Sequence, residues 1–190
     1  MADAFFRDEA FSSKNLPEGV LPFGEYENCK FTGINLSAAN LSKMTFSDCI
    51  FEACDLSNAI LKDTSLREIK FTDCKLIGLS FDQCNAFLLS FTFENCLLNF
   101  SSFFKLKIKS TSFKGCKLVQ ADFSDTDLSS AEFTDCDLSG AIFFNTQLEK
   151  TDFSTAENFS IDPENNLVTG AKFSSGHLQG LLEKYKIEIL

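Results

Sequence analysis

The residues best equipped for chemistry are eight cysteines, one histidine and a late concentration of acids. Cys96, Cys116 and Cys136 are twenty residues apart, as are Cys29 and Cys49, and Cys54 and Cys74. A metal centre needs ligands that converge, usually as a close pair such as C-x-x-C, and there is no such pair; the sole histidine, His177, is far from all the cysteines in sequence. The expectation is therefore of reduced, structural thiols in a reducing compartment, with no metal, no cofactor and no catalytic residue. His177 has no neighbouring acid or nucleophile for a relay and reads as a surface or helix-start residue. Phosphate-binding glycine loops are absent. An enzyme is the remote alternative.

The acids are unevenly placed. Residues 1–120 hold 14 acids and 13 bases and residues 165–190 hold 2 and 3, so these stretches cancel, while residues 121–164 hold 11 acids against Lys150 alone. The net charge of −10 therefore sits in one stretch. Its exposed members are expected to be Asp122, Asp125, Asp127, Glu132, Asp135, Asp137, Glu149 and Asp152, forming a partner-binding acidic face. Direct binding of nucleic acid does not fit that sign. Solubility explains an arbitrary acidic surface, but on a rigid rod the same charge can imitate the phosphates of a duplex.

The rod follows from the periodicity of the chain. Leu, Phe or Tyr recurs every fifth residue from Leu21 to Phe81, and Leu, Phe or Ile does so again, displaced by two, from Phe93 to Phe153. The residue two before each centre is usually small, as at Cys49, Ala59, Cys96 and Ala121. A step of five scatters such centres around an α-helix and alternates them between the faces of a strand. A chain that turns a corner every five residues keeps them all inside, and four sides close a coil of twenty. The expected fold is an all-β solenoid, a right-handed quadrilateral β-helix of about 6.5 coils and roughly 30 Å, with a C-terminal helix and short strand. Residues 1–18 are assigned to an N-terminal cap, 19–153 to the β-helix and 154–190 to a C-terminal turn, helix and dimerisation segment. Acids rather than bases open the chain and no apolar run matches a bilayer span, so the expectation is a soluble, cytoplasmic protein without membrane contact.

Two breaks interrupt the pattern. At residues 82–90 the frame slips by two, which predicts a protruding loop in which Gln83, Asn85, Phe87 and Leu89 are candidate contacts. After the turn at residues 160–166, Leu178, Leu181, Leu182 and Tyr185 have helical spacing, and Ile187 and Ile189 alternate as in a strand. This apolar set is generous for an end cap and is assigned to a homodimer interface.

Segments such as AanLskmtFsdCiFeaCdLsnAiL (39–61) and CkLvqAdFsdTdLssAeFtdCdLsgAiF (116–143) resemble pentapeptide-repeat proteins. The ending at 152–190, with its I-D-P-E-N-N turn and Leu-rich helix, resembles the Qnr-type quinolone-resistance proteins and the immunity protein against the gyrase-targeting microcin. The resemblance implies a dimer joined through the C-terminal segments, a rod that imitates B-form DNA, and binding to DNA gyrase, with topoisomerase IV as a second target, that protects it from fluoroquinolones or a peptide toxin. This chain departs from some Qnr-type members in having one modest interruption where they carry larger loops. The alternative is a generic pentapeptide-repeat interaction scaffold with a non-topoisomerase partner.

Overall fold

A corner every five residues gives very short strands that pair only with the coils above and below. The computed structural model of the chain describes residues 4–16 and 20–188. Strands β1 (Ala4–Arg7), β3 (Gly24–Glu27), β5 (Thr45–Ser47) and β7 (Ser65–Arg67) form one parallel sheet, here the first face. The second face is a nine-stranded parallel sheet of β2 (Ala10–Ser12), β4 (Lys30–Thr32), β6 (Ile50–Glu52), β8 (Ile69–Thr72), β9 (Phe91–Glu94), β10 (Ser112–Lys114), β11 (Glu132–Thr134), β12 (Asp152–Phe153) and β13 (Lys172–Phe173). The third and fourth faces are columns of single parallel bridges, through Asn35, Asp55, Lys75, Leu97, Lys117, Asp137 and Glu157, and through Ser80, Ser102, Asp122 and Ile142. The solenoid is a right-handed square β-helix of about eight turns. At about 4.8 Å per coil, the nine rungs of the second face span about 38 Å.

The rod is longer than the two uninterrupted runs of centres suggest because both of its ends continue the coil. In the segment assigned to an N-terminal cap, Phe6 pairs with Tyr26 and Phe11 with Phe31 in full register. At the other end Phe173 pairs with Phe153 beyond the turn.

Every inward centre of the second face is phenylalanine. From Phe11 through Phe31, Phe51, Phe71, Phe93, Phe113, Phe133 and Phe153 to Phe173, successive rings stack at centroid distances from 4.4 to 5.4 Å. A second aromatic column changes sides: Phe6, Tyr26 and Phe46 line the first face, whereas Phe81, Phe103, Phe123 and Phe143 line the fourth. Each crosses the Phe column edge-on, as between Phe123 and Phe133 at 5.7 Å. Leucines fill the third face at Leu36, Leu56, Leu76, Leu98, Leu118 and Leu138, all buried. The eight cysteines are buried and unpaired. The two-residue slip joins Cys54 and Cys74 to Cys96, Cys116 and Cys136 in one column, and burial raises the Cys84 thiol to about 12. Among the described residues no group of three or more His, Cys, Asp or Glu is placed to hold a metal ion.

The corners explain the polar part of the repeat. Two residues after most centres the backbone is left-handed, mostly without glycine, as at Asp48, Asn58, Phe100 and Asp125. Each such residue costs roughly 1–2 kcal/mol, offset by a ladder bond such as Asp125 N–H to the Phe144 carbonyl at 2.9 Å. One residue before the centre, an Asn or Asp side chain accepts from the N–H two residues on. Asn35 does so for Ser37, Asp55 for Ser57, Asp122 for Ser124 and Asp137 for Ser139.

At the interruption the coil holds 22 residues instead of 20, with Ile69 paired to Phe91. The first face therefore lacks an inward centre between Leu66 and Ile108. Phe91 and Cys84 are buried inside this coil and Leu89 packs against the core, while the chain from Asn85 to Leu88 swings outward.

The C-terminal helix is of the 3-10 type, in two pieces, Ser175–Leu181 and Glu183–Tyr185. Gly176 and Gly180 weaken an α-helix here, and the i to i+3 bonds His177 N–H to Ser174 and Leu182 N–H to Gln179 define the tighter turn. Ile187 and Glu188 are not in a strand, and Ile189 and Leu190 lie outside the described residues. Gly180 sits on the end of the rod, where a Cβ would lie 2.2 Å from the Phe159 carbonyl oxygen and 2.7 Å from the Phe159 ring. Lys184 clamps the second piece to Asp162 and Glu164 at 2.6 Å each, and the Tyr185 hydroxyl donates to Glu164 at 3.0 Å. Gly180→Val should force this segment off the rod at a cost of about 1–3 kcal/mol. Hydrogen exchange should rise in residues 175–185 with little change at β10 or β11, and equal loss of protection in both places would contradict the seating.

Candidate functional site

The acids of the late coils lie on every side of the rod. Asp122 is on the fourth face, Asp125 at the corner between fourth and first, Asp127 on the first, Glu132 and Asp152 on the second, Asp135 at the corner after it and Asp137 on the third. Glu149 follows the first-face centre Leu148, at the next corner. The expected acidic face is thus a belt. Residues 124–143 carry five acids and no base, and residues 144–163 four acids and one base.

Half of the eight acids also build turns. Asp122, Asp127, Asp137 and Asp152 accept from the N–H of Ser124, Ser129, Ser139 and Ser154. Asp127 is only 6% exposed, against the expectation of an open surface acid, and meets Lys109 at 3.2 Å. Burial opposes its charge, but the Ser129 hydroxyl and N–H together with Lys109 outweigh that and hold its carboxyl below the ordinary value. The Ser139 hydroxyl does the same for Asp137, helped by Asn158. At Asp152 the Ser154 hydroxyl, its N–H and Lys172 lower the value to about 2. Asp125 instead accepts from the Asn145 side chain, and Glu132, Asp135 and Glu149 are exposed. The D/N-L/F-S triplets that carry these turns are visible in the sequence, at Asp127-Leu128-Ser129 and Asp137-Leu138-Ser139 for example, and were the missed signal.

The depressed carboxyls fix the sign of the acid response. A folded value below the unfolded one, about 3.9 for Asp, gives stability that is present above pH 4 and is lost as pH falls through the folded value. The melting temperature should therefore drop between about pH 4 and pH 2, and by less in Asp152→Asn than in the parent. An equal drop in both would remove the role assigned to Asp152.

The opposite sign appears one coil earlier. Residues 104–123 carry Lys105, Lys107, Lys109, Lys114 and Lys117 against the single acid Asp122. Lys114 pairs with Glu94 at 3.1 Å, and Lys107 and Lys117 stack in register under Asp127 and Asp137.

In the loop, Gln83 and Asn85 are exposed, but Asn85 is structural: its side chain accepts from Phe87 N–H at 3.0 Å and its N–H donates to the Thr64 carbonyl at 2.9 Å. Phe87 and Leu88 are 65% and 63% exposed. Leu89 turns partly inward, so Leu88 takes the outward place expected for it.

Of the C-terminal apolar set, Leu181 packs on the rod end, Leu182 is half-buried, and Leu178, Tyr185 and Ile187 are exposed; Ile189 lies outside the described residues. Phe159, Leu182 and Ile187 line a hollow of about 780 Å³ whose rim includes His177, Glu157, Glu183 and Lys186.

No curated protein matches the chain significantly. Among solved structures, a trypsin-treated form of QnrB1, a plasmid-mediated fluoroquinolone resistance protein, is 22% identical over 100% of this chain and 99% of that one, with a TM-score of 0.47. HetL, a pentapeptide repeat protein involved in heterocyst differentiation regulation in the cyanobacterium Nostoc, is 17% identical over 92% of this chain and 86% of that one, with a TM-score of 0.43. Likenesses at this level carry no weight for function. The model of the pentapeptide repeat region matches residues 25–103 and 86–162. With inward centres at five-residue spacing and four-sided coils along that same stretch, the chain belongs to the pentapeptide-repeat family.

Proposed function

We propose that the protein is a DNA mimic that binds DNA gyrase, with topoisomerase IV as a second target, and protects it from fluoroquinolones or a peptide toxin. The observation that carries this reading is the density of the acidic belt. Residues 124–163 have a net charge of −8 over two coils, one charge per about 1.2 Å of rise, against one per about 1.7 Å in duplex DNA. Phosphates also encircle a duplex, so a belt on all faces suits a DNA-binding saddle better than one charged side does. A lysine coil on its N-terminal side gives the belt a sharp boundary.

The protein acts in this reading as a homodimer whose C-terminal ends meet, with Leu178, Leu181, Leu182, Tyr185 and Ile187 at the contact and the two acidic belts flanking the two-fold axis. Exposed Leu178, Tyr185 and Ile187 beside the terminal hollow support that assignment. No chemical step is asked of the chain, which contributes shape and charge. The test is a gyrase supercoiling assay with a fluoroquinolone present and this protein titrated in.

A further inference from the structure

We propose that the interrupted coil and the lysine coil above it form a second docking surface, for an acidic polypeptide segment that carries apolar anchors. The surface begins with a gap in the first face. The loop is tied to the coil below by Asn85 N–H to Thr64 and Ser90 N–H to Leu66, at 2.9 and 3.0 Å. Toward the coil above the ladder is broken. Asp127 N–H donates to the Leu106 carbonyl at 2.8 Å and Gln147 N–H to Thr126 at 2.9 Å, whereas the equivalent N–H of Lys107 has no backbone acceptor among the described residues.

The loop carries two large exposed apolar side chains, Phe87 and Leu88, with Arg67 in the coil below and Lys105, Lys107 and Lys109 in the coil above. The Arg67 guanidinium lies over the Phe87 ring, 5.7 Å from its centroid, with a buried Nε that has no partner. Lys105 lies over Phe104 at 4.6 Å. Among the described residues neither Arg67, Lys105 nor Lys107 pairs with a carboxylate, while Lys109 holds Asp127. Cations beside one exposed and one half-buried ring, on a protein of net charge −10, call for an anionic partner with an apolar component.

Spacing and surroundings select a polypeptide. Lys107 and Lys109 alternate along the first face at a step of roughly 6.6 Å, which is also the spacing of alternate side chains in an extended peptide, and Lys105 stands at the corner before them. Such a segment can give its carboxylates to the lysines, its apolar side chains to Phe87 and Leu88, and a carbonyl to Lys107 N–H. A nucleic acid strand or an anionic membrane would extend over the next coil, whose five acids begin about 4.8 Å away, well inside the screening length of about 8 Å. This surface differs in sign and position from the belt assigned to the topoisomerase, so either assignment can fail alone.

The test is fluorescence anisotropy of the full-length protein with a short fluorescein-labelled peptide of alternating glutamate and leucine. The comparison probes are a lysine–leucine peptide, oligo-dT and phosphatidylserine vesicles, with a protein concentration series alone as a further arm. The acidic peptide should bind, more weakly as salt rises, and about tenfold more weakly to Lys105→Gln/Lys107→Gln and to Phe87→Ser, whose circular dichroism melts should match the parent; Lys109 is kept because it holds Asp127. No binding of the acidic peptide, or binding indifferent to both variants, overturns the proposal. Tighter binding of oligo-dT or vesicles through the same lysines overturns it, as does self-association that the double lysine variant abolishes.

Discussion

Replacing Phe113 by alanine is expected to destabilise the protein by about 3–5 kcal/mol, read as a lowered melting temperature or a lower denaturant midpoint. The ring is fully buried, stacks at 5.1 Å on Phe93 and 4.8 Å on Phe133, and meets Phe103 and Phe123 edge-on. A globular core relaxes into part of such a void. Here the walls are ladders that cannot close without breaking their bonds, so most of the cavity should remain. Glu132→Gln, on the outer side of the same face one coil on, should stay within about 0.5 kcal/mol of the parent. Equal losses from the two changes would mean that the inward register is wrong.

The second large effect concerns the belt. Converting Asp125, Asp127, Asp135 and Asp137 together to asparagine should weaken gyrase binding well over tenfold, because it removes four of the five charges of one coil. Asparagine keeps the side-chain oxygen that Asp127 and Asp137 offer to Ser129 and Ser139, so the turns should hold, and the melting temperature should fall only by what the ionised carboxyls of Asp127 and Asp137 contribute. Lysine at position 127 would instead lose the turn bond and place a second cation beside Lys109. The same change at Asp48, Glu52, Asp55 and Asp63, in coils of low net charge, should matter much less. Binding by the first set that equals the parent would leave the acids with their turns alone and favour a scaffold for another partner.

The inward half of the repeat was legible in the sequence because burial acts on side-chain type. A five-residue recurrence of Leu and Phe has one economical geometry, and the cysteines two positions earlier confirm its phase. The outward half was harder to read, since Asp serves as a surface charge and as a turn acceptor with the same symbol. Asp127 shows this best: its place in an acidic stretch predicts an exposed acid, and it folds into the wall of the rod. Acids that the sequence groups into one face spread into a belt, because a step of five moves each acid to the next side. The interruption hid Phe91, which stands where small residues normally do and fills the volume left by the missing first-face centre. Leucine spacing indicated a C-terminal helix, but its 3-10 form depends on Gly180 meeting Phe159, a contact between distant parts of the chain.

The most direct test of the central claim is supercoiling by purified DNA gyrase under an inhibitory concentration of a fluoroquinolone, with this protein titrated into the reaction. The account predicts that supercoiling returns as the protein is added, that the recovery fades as salt rises, and that the four-asparagine variant fails to produce it. Supercoiling that stays inhibited at every protein concentration, or that the variant restores as well as the parent, would contradict it.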